Sequence, residues 1–218
     1  MFHSTRTPPA VTLDWIRHGE PEGGLRYRGS IDDPLSATGW AQMQQATDQA
    51  QADGTRWQSI VSSPMRRCQA FAGQLAEQLA LPIPILPDLR ELGFGDLEGL
   101  TPQEAWEQYP ELLQRIWDDP AGHSPPGGEP YPQFRARVAG ALEQILQQSE
   151  PPAGQHSLLV AHGGVIRAAL CHFLHLSPRD SFRVEVPYAG ISRLRWFAGE
   201  HGTGNASLVF LNRYYSPS

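Results

Sequence analysis

Two histidines in this chain each follow a short apolar run. Arg17-His18-Gly19 leaves the run Val11 to Ile16, and Ala161-His162-Gly163-Gly164 leaves Ser157 to Val160. In a parallel α/β sheet the strands end along one edge, so groups leaving those ends meet in the crevice above them. Two more apolar stretches are expected to end there. Ile60-Val61-Ser62-Ser63-Pro64 runs into Met65-Arg66-Arg67-Cys68, and Ile83 to Leu86 leads to Leu89-Arg90-Glu91. The four exits together offer two histidines, up to three arginines and one carboxyl.

Such a set suits a phosphoryl group. Each guanidinium can donate two parallel charge-assisted hydrogen bonds to its oxygens. A neutral imidazole is a competent nucleophile toward phosphorus, and its reference pKa of about 6.5, lowered by adjacent arginine charge, leaves it unprotonated at neutral pH. Arginines and a second histidine can hold the charge that a magnesium ion holds elsewhere, so the reading calls for no metal and no cofactor. Cys171, His172 and His175 crowd one helix but lack a third ligand in view, and are read as packed or solvated.

The elements that must position these residues alternate. Strands are expected at Val11 to Ile16, Ser59 to Ser62 and Ser157 to Ala161, and near the C-terminus at Arg183 to Val186, Ile191 to Phe197 and Leu208 to Asn212. One helix is expected to open at Pro34-Leu35-Ser36-Ala37-Thr38-Gly39 and run to about Ala52, and others to span Met65 to Ala80, about Gln133 to Gln148 and Gly164 to Leu174. Thr101-Pro102-Gln103-Glu104 carries a capping box and a helix-starting proline. It therefore opens one short helix to about Tyr109, followed by a second from Glu111 to Trp117. The sum is an α/β fold: a three-layer α/β/α sandwich, mostly parallel with an antiparallel edge, helices on both faces. One domain is expected over 1–218, with residues 1–10 flexible and 100–125 a helical insert or lid.

Composition narrows the partners. The chain has 218 residues, 40% of them hydrophobic, enough for one core and marginal for two. All 17 basic residues are arginine, and the net charge of −6 offers no basic field for nucleic acid. No apolar run approaches the roughly 18 residues of a membrane span, and Met1 to Ala10 lacks the apolar core of a signal peptide. Two cysteines make no disulfide framework, which fits a cytoplasmic setting. The expected partner is a small-molecule phosphate ester, and a homodimer stands as a candidate assembly.

Four segments now carry a resemblance: Ile16-Arg17-His18-Gly19-Glu20; Ser62-Ser63-Pro64-Met65-Arg66-Arg67; Leu89-Arg90-Glu91 with Phe94-Gly95-Asp96-Leu97-Glu98-Gly99; and Ala161-His162-Gly163-Gly164. In type and order they resemble the signatures of the histidine phosphatase (phosphoglycerate mutase-like) superfamily. The resemblance implies that His18 is the nucleophile that becomes phosphohistidine, that Arg17 and Arg67 bind phosphoryl oxygens, and that Glu91 protonates the leaving oxygen. It implies that His162 stabilises transition-state charge, with the helix beginning near Gly163 turning its positive end toward the site. Glu91 must then hold a proton and His18 must lose one, so activity is expected to peak at mildly acidic to neutral pH.

Many members of that superfamily place an asparagine about six residues after the nucleophile, where this chain has Gly24. Two readings stand for Arg28: a replacement phosphate donor, or a solvated loop arginine. Tyr27-Arg28-Gly29, Asp32-Asp33-Pro34-Leu35-Ser36 and Pro126-Gly127-Gly128-Glu129 look most like the α-ribazole phosphatases of the superfamily, which act in cobalamin assembly. By that likeness Arg28, Gly29 and Glu129 are candidate substrate contacts, Glu129 otherwise capping the next helix. Trp106, Tyr109 and Trp117 are read first as core residues, with stacking on an aromatic base as the alternative. The short insert favours hydrolysis over mutase-type phosphoryl transfer. A non-catalytic phosphate-binding regulatory protein is the reading from another class.

Overall fold

A computed structural model describes residues 10–148, 154–198 and 204–214. The expectation for residues 1–10 therefore falls, Ala10 apart, outside the described residues, as do His3 and His201. The elements run β1 (Ala10–Arg17), α1 (Ala37–Ala52), β2 (Ser59–Ser62), α2 (Arg66–Leu79), α3 (Pro102–Gln108), α4 (Pro110–Asp118), α5 (Tyr131–Gln148), β3 (His156–Ala161), α6 (Gly163–Leu174), α7 (Pro178–Ser181), β4 (Ile191–Ala198) and β5 (Gly204–Arg213). The sheet order is β2-β3-β1-β4-β5. β2, β3 and β1 are parallel, β4 is antiparallel to β1, and β5 is antiparallel to β4. Four of the five strands thus point one way, as the alternation of strand and helix requires.

Both faces of the sheet are covered, so its central strands are apolar on both sides. Leu159 and Ala161 of β3 join Leu13 and Trp15 of β1 against Phe134, Val138 and Leu142 of α5 and Val165 of α6. Leu158 and Val160 turn the other way, with Ile16 and Ile60, toward Met43 of α1 and Phe71 and Leu75 of α2. The two-residue alternation along β3 is the period of a pleated strand. No helix among the described residues is long and apolar enough to cross a membrane.

Three expectations are corrected. Ile83 to Leu86 lies beside β2 but forms a single bridge, Ser62 to Ile85. Ile60 and Ser62 donate their N–H groups to Pro82 and Pro84, and Leu86 N–H answers Ser62, but Pro84 has no N–H to answer Ile60, so the ladder is interrupted. Arg183 to Val186 is not a strand either. The carbonyls of Val184 and Val186 accept instead from the guanidiniums of Arg167 and Arg17, so this segment crosses the sheet edge rather than joining it. His156, one residue before the strand expected from Ser157, begins β3, and its Nε2 lies 2.8 Å from the buried Asp14 carboxylate.

Candidate active site

Parallel register brings the two histidines together. Arg17 of β1 pairs with Ala161 of β3, so the next residue on each strand is a histidine, and His18 N–H donates to the Ala161 carbonyl at 2.9 Å. The imidazole rings meet edge to face, 5.2 Å between centroids. β2 ends one strand further along. Its Ser62 pairs with Val160, which sets Ser63 beside His162, Oγ to Nε2 2.7 Å. The loop after His18 packs directly on the start of α1, where a Cβ at Gly19 or Gly39 would run into the facing backbone.

His18 Nδ1 lies 2.7 Å from the carbonyl of Gly19. A carbonyl can only accept, so Nδ1 carries the hydrogen and Nε2 keeps its lone pair. Burial pushes the His18 pKa well below its ordinary value, and the charges of Arg17 and Arg67 add to this, while the Gly19 carbonyl opposes it. His162 is likewise held neutral, by burial first and then by Arg67. A buried, neutral, correctly protonated imidazole is the form that can attack an electrophile.

Around His18 a pocket of about 220 Å³ is lined by Arg17, Arg28, Arg67, Glu91, Gly163 and Arg167, among others. Arg67, in the first turn of α2, is 1% exposed, and donates to the Ile31 carbonyl at 2.9 Å. Its Nε and that of Arg17 are buried without a partner among the described residues. Both arginines line the cavity, and desolvated donors beside it favour the entry of an oxyanion. Arg28 is 5% exposed, so it is not a solvated loop arginine. Its Nε pairs with Asp33 and one terminal nitrogen donates to the Glu22 carbonyl, which fixes the guanidinium at the pocket wall. Gly29 lies behind that wall at φ 36°, backed against Glu98, which accepts from the N–H groups of Ser30, Ile31 and Phe94 and ties the loop down.

Glu91 faces the start of α6. Its carboxylate accepts from Gly164 N–H at 3.1 Å and from Leu92 N–H at 2.9 Å, and a Cβ at position 164 would collide with it. Glu129 does not enter the phosphate-sized pocket. Both its oxygens accept from Arg137, at 2.7 Å each, and the rest of that guanidinium donates to the carbonyls of Asp88, Arg90 and Glu91. The pair thereby anchors the segment that carries Glu91.

Several contributors were not legible as such. Ser63 carries no signal of its own within Ser62-Ser63-Pro64-Met65-Arg66-Arg67. Arg167 sits one helical turn beyond Gly163, so its spacing could have placed it at the site. Tyr188 packs on the Arg17 guanidinium, 4.1 Å from its ring centroid, and near the His18 ring at 5.7 Å. It precedes β4, whose antiparallel direction makes its start, not its end, lie at the functional edge, and no local pattern signals that. Trp106 and Trp117 are 52% and 54% exposed, not core, and line a second cavity beside the first.

An α/β sheet with paired histidines and buried arginines at the ends of its parallel strands defines a class of anion-handling α/β proteins. Residues 14–204 match the model of the histidine phosphatase superfamily (branch 1), and the chain belongs to that family. It is 30% identical to a 2,3-bisphosphoglycerate-dependent phosphoglycerate mutase of Rhizobium etli over 82% of this chain and 87% of that protein. It is 32% identical to a bifunctional protein of Mycobacterium tuberculosis over 93% of this chain, spanning 54% of that protein's length. Among solved structures, a mycobacterial glucosyl-3-phosphoglycerate phosphatase in complex with VO3 is 28% identical, covering 93% of this chain and 98% of that one, with a TM-score of 0.78.

Proposed function

We propose that the protein is a metal-independent phosphatase that hydrolyses a small-molecule phosphomonoester through a phosphohistidine on His18. The observation that carries this reading is the bond from His18 Nδ1–H to the Gly19 carbonyl, which leaves Nε2 free in a pocket walled by arginines. Nε2 attacks phosphorus as the P–O bond to the alcohol breaks, and the Glu91 carboxyl gives its proton to the departing oxygen. Arg17, Arg67 and Arg28 hold the equatorial oxygens, with His162 and the N–H groups at the start of α6 near Gly163. Water then attacks the phosphorus of phosphohistidine, gives its proton back to Glu91, and phosphate leaves. We place the reaction in the cytoplasm, a setting supported by two buried free thiols, Cys68 and Cys171.

Within that class we propose α-ribazole 5′-phosphate as the candidate physiological ester, supported by the Tyr27-Arg28-Gly29 and Pro126-Gly127-Gly128-Glu129 segments and by the exposed aromatics of α3 and α4. Phosphoryl transfer of the mutase type is the alternative, favoured by the Rhizobium relative's name. A single-turnover experiment with ³²P-labelled 4-nitrophenyl phosphate in EDTA decides between these. Acid-labile, alkali-stable label is expected on the wild-type chain and none on His18→Ala, with label passing to water rather than to added 3-phosphoglycerate. Tight phosphate binding with neither label nor 4-nitrophenol release would overturn the enzyme reading.

A further inference from the structure

A second cavity of about 610 Å³ opens off the phosphate-sized pocket and shares Tyr27, Phe94, Tyr131, Arg167 and Phe182 with it. Its outer wall is the insert, where α3 and α4 present Trp106, Leu113, Ile116 and Trp117. Two tryptophans more than half exposed on adjoining short helices present an apolar surface to solvent. Ring contacts join that wall to the reaction pocket: Trp117 on Phe182 at 6.3 Å, Phe182 on Tyr131 at 6.2 Å, Tyr131 on Phe134 at 5.9 Å.

Several polar groups in this cavity are already engaged. Glu129 is held by Arg137, Gln114 donates to Asp118, His123 Nδ1 faces the Asp119 carbonyl at 3.3 Å, and Arg167 Nε donates to Val184. The wall is otherwise mainly apolar, with Leu97, Leu113, Ile116 and the two tryptophans, so an apolar ring entering it loses only water. The volume is that of a site for a drug-sized body, about 300–1,000 Å³, and far exceeds what a three-carbon acid fills.

We infer that the leaving alcohol carries an apolar ring system, seated between the Trp106 and Trp117 faces and the Phe94–Phe182 floor, and that these two tryptophans set the substrate preference. This rests on the phosphatase reading and adds to it the chemistry of the alcohol.

The test is a kcat/KM panel of alkyl esters with similar leaving-group basicity: 2-(1-naphthyl)ethyl phosphate, ethyl phosphate, glycerol 1-phosphate and 3-phosphoglycerate. The naphthyl ester is expected to exceed the others by about tenfold or more. Trp106→Ala and Trp117→Ala are each expected to remove about tenfold of that advantage, mainly through KM, with ethyl phosphate turnover unchanged. Equal or better turnover of 3-phosphoglycerate, or tryptophan variants that keep the naphthyl preference, would overturn the inference while leaving the phosphatase reading intact. Turnover of none of the four by the wild-type chain would instead strike at the phosphatase reading. In that case quenching of tryptophan fluorescence by 2-(1-naphthyl)ethanol, lost in Trp106→Ala, still decides whether the seat exists.

Discussion

Ser63 Oγ stands 2.7 Å from His162 Nε2, with both side chains buried. Whichever atom donates, the pair fixes the plane of the second imidazole against the first. Ser63→Ala leaves a ring nitrogen without that partner, at a cost of about 1–3 kcal/mol. A lower denaturant midpoint and a fall in kcat of about tenfold are expected. An unchanged kcat would show that the ring is held by other contacts.

The pH dependence of the rate follows from the depressed pKa of His18. Burial, then Arg17 and Arg67, favour the neutral ring, so the competent form persists below pH 6.5. The acid limb of kcat/KM is expected below the reference histidine value of about 6.5, provided chemistry limits the rate. The same shift acts on stability. The unfolded histidine takes up a proton as pH falls past about 6.5 while folded His18 and His162 do not. Stability is therefore complete above that pH and declines below it, by up to about 1.4 kcal/mol per pH unit per ring. Thermal melts from pH 8 to 5, compared with His162→Gln, measure this.

Arg137 joins the Glu129 carboxylate to the carbonyl of Glu91, so removing the charge at 129 should loosen the proposed acid. Glu129→Gln is expected to slow alkyl phosphate hydrolysis by roughly tenfold and 4-nitrophenyl phosphate hydrolysis far less, since nitrophenolate leaves without a proton. Equal losses on both esters would point to a general folding defect instead.

Arg17 and Arg67 each bury an Nε–H that lacks a partner among the described residues. Inorganic phosphate or vanadate is expected to raise the melting temperature, with about 2.7 kcal/mol of added stability at a hundredfold excess over Kd. In Arg67→Met that shift should largely vanish. Phosphate that stabilises the variant as much as the parent would remove Arg67 from the binding set.

Far from the pocket, Asp14 is fully buried and accepts from Arg193, His156 and Trp57. Burial alone would raise its pKa, but the bonds from Arg193 and His156 outweigh burial and hold the carboxyl below its ordinary value. Its contribution to stability is thus present above about pH 4 and is lost as pH falls through the lowered folded value. Asp14→Ala strands buried donors and is expected to cost about 3–5 kcal/mol, read by urea denaturation, with kcat unchanged below the melting temperature.

The helices and the parallel strands were legible because their signals are local. Phe71 and Leu75 recur at helical spacing, Thr101 and Glu104 close a capping box, and Ser59 to Ser62 is apolar between breakers. Ile83 to Leu86 misled for an equally local reason, since apolar content says strand while Pro84 inside it removes a ladder donor.

By itself the sequence placed His18, Arg17, Arg67 and His162 at one edge, because each follows a buried strand and parallel strands end together. It brought Glu91 there behind a segment that touches β2 through a single bridge. Only the tertiary structure decided that Tyr188 reaches the same edge from an antiparallel strand, that Glu129 serves Arg137, and that Trp106 and Trp117 face a cavity. Periodicity reports which residues leave water, but not which distant side chains then meet. That depends on strand direction and on where each charge finds its partner.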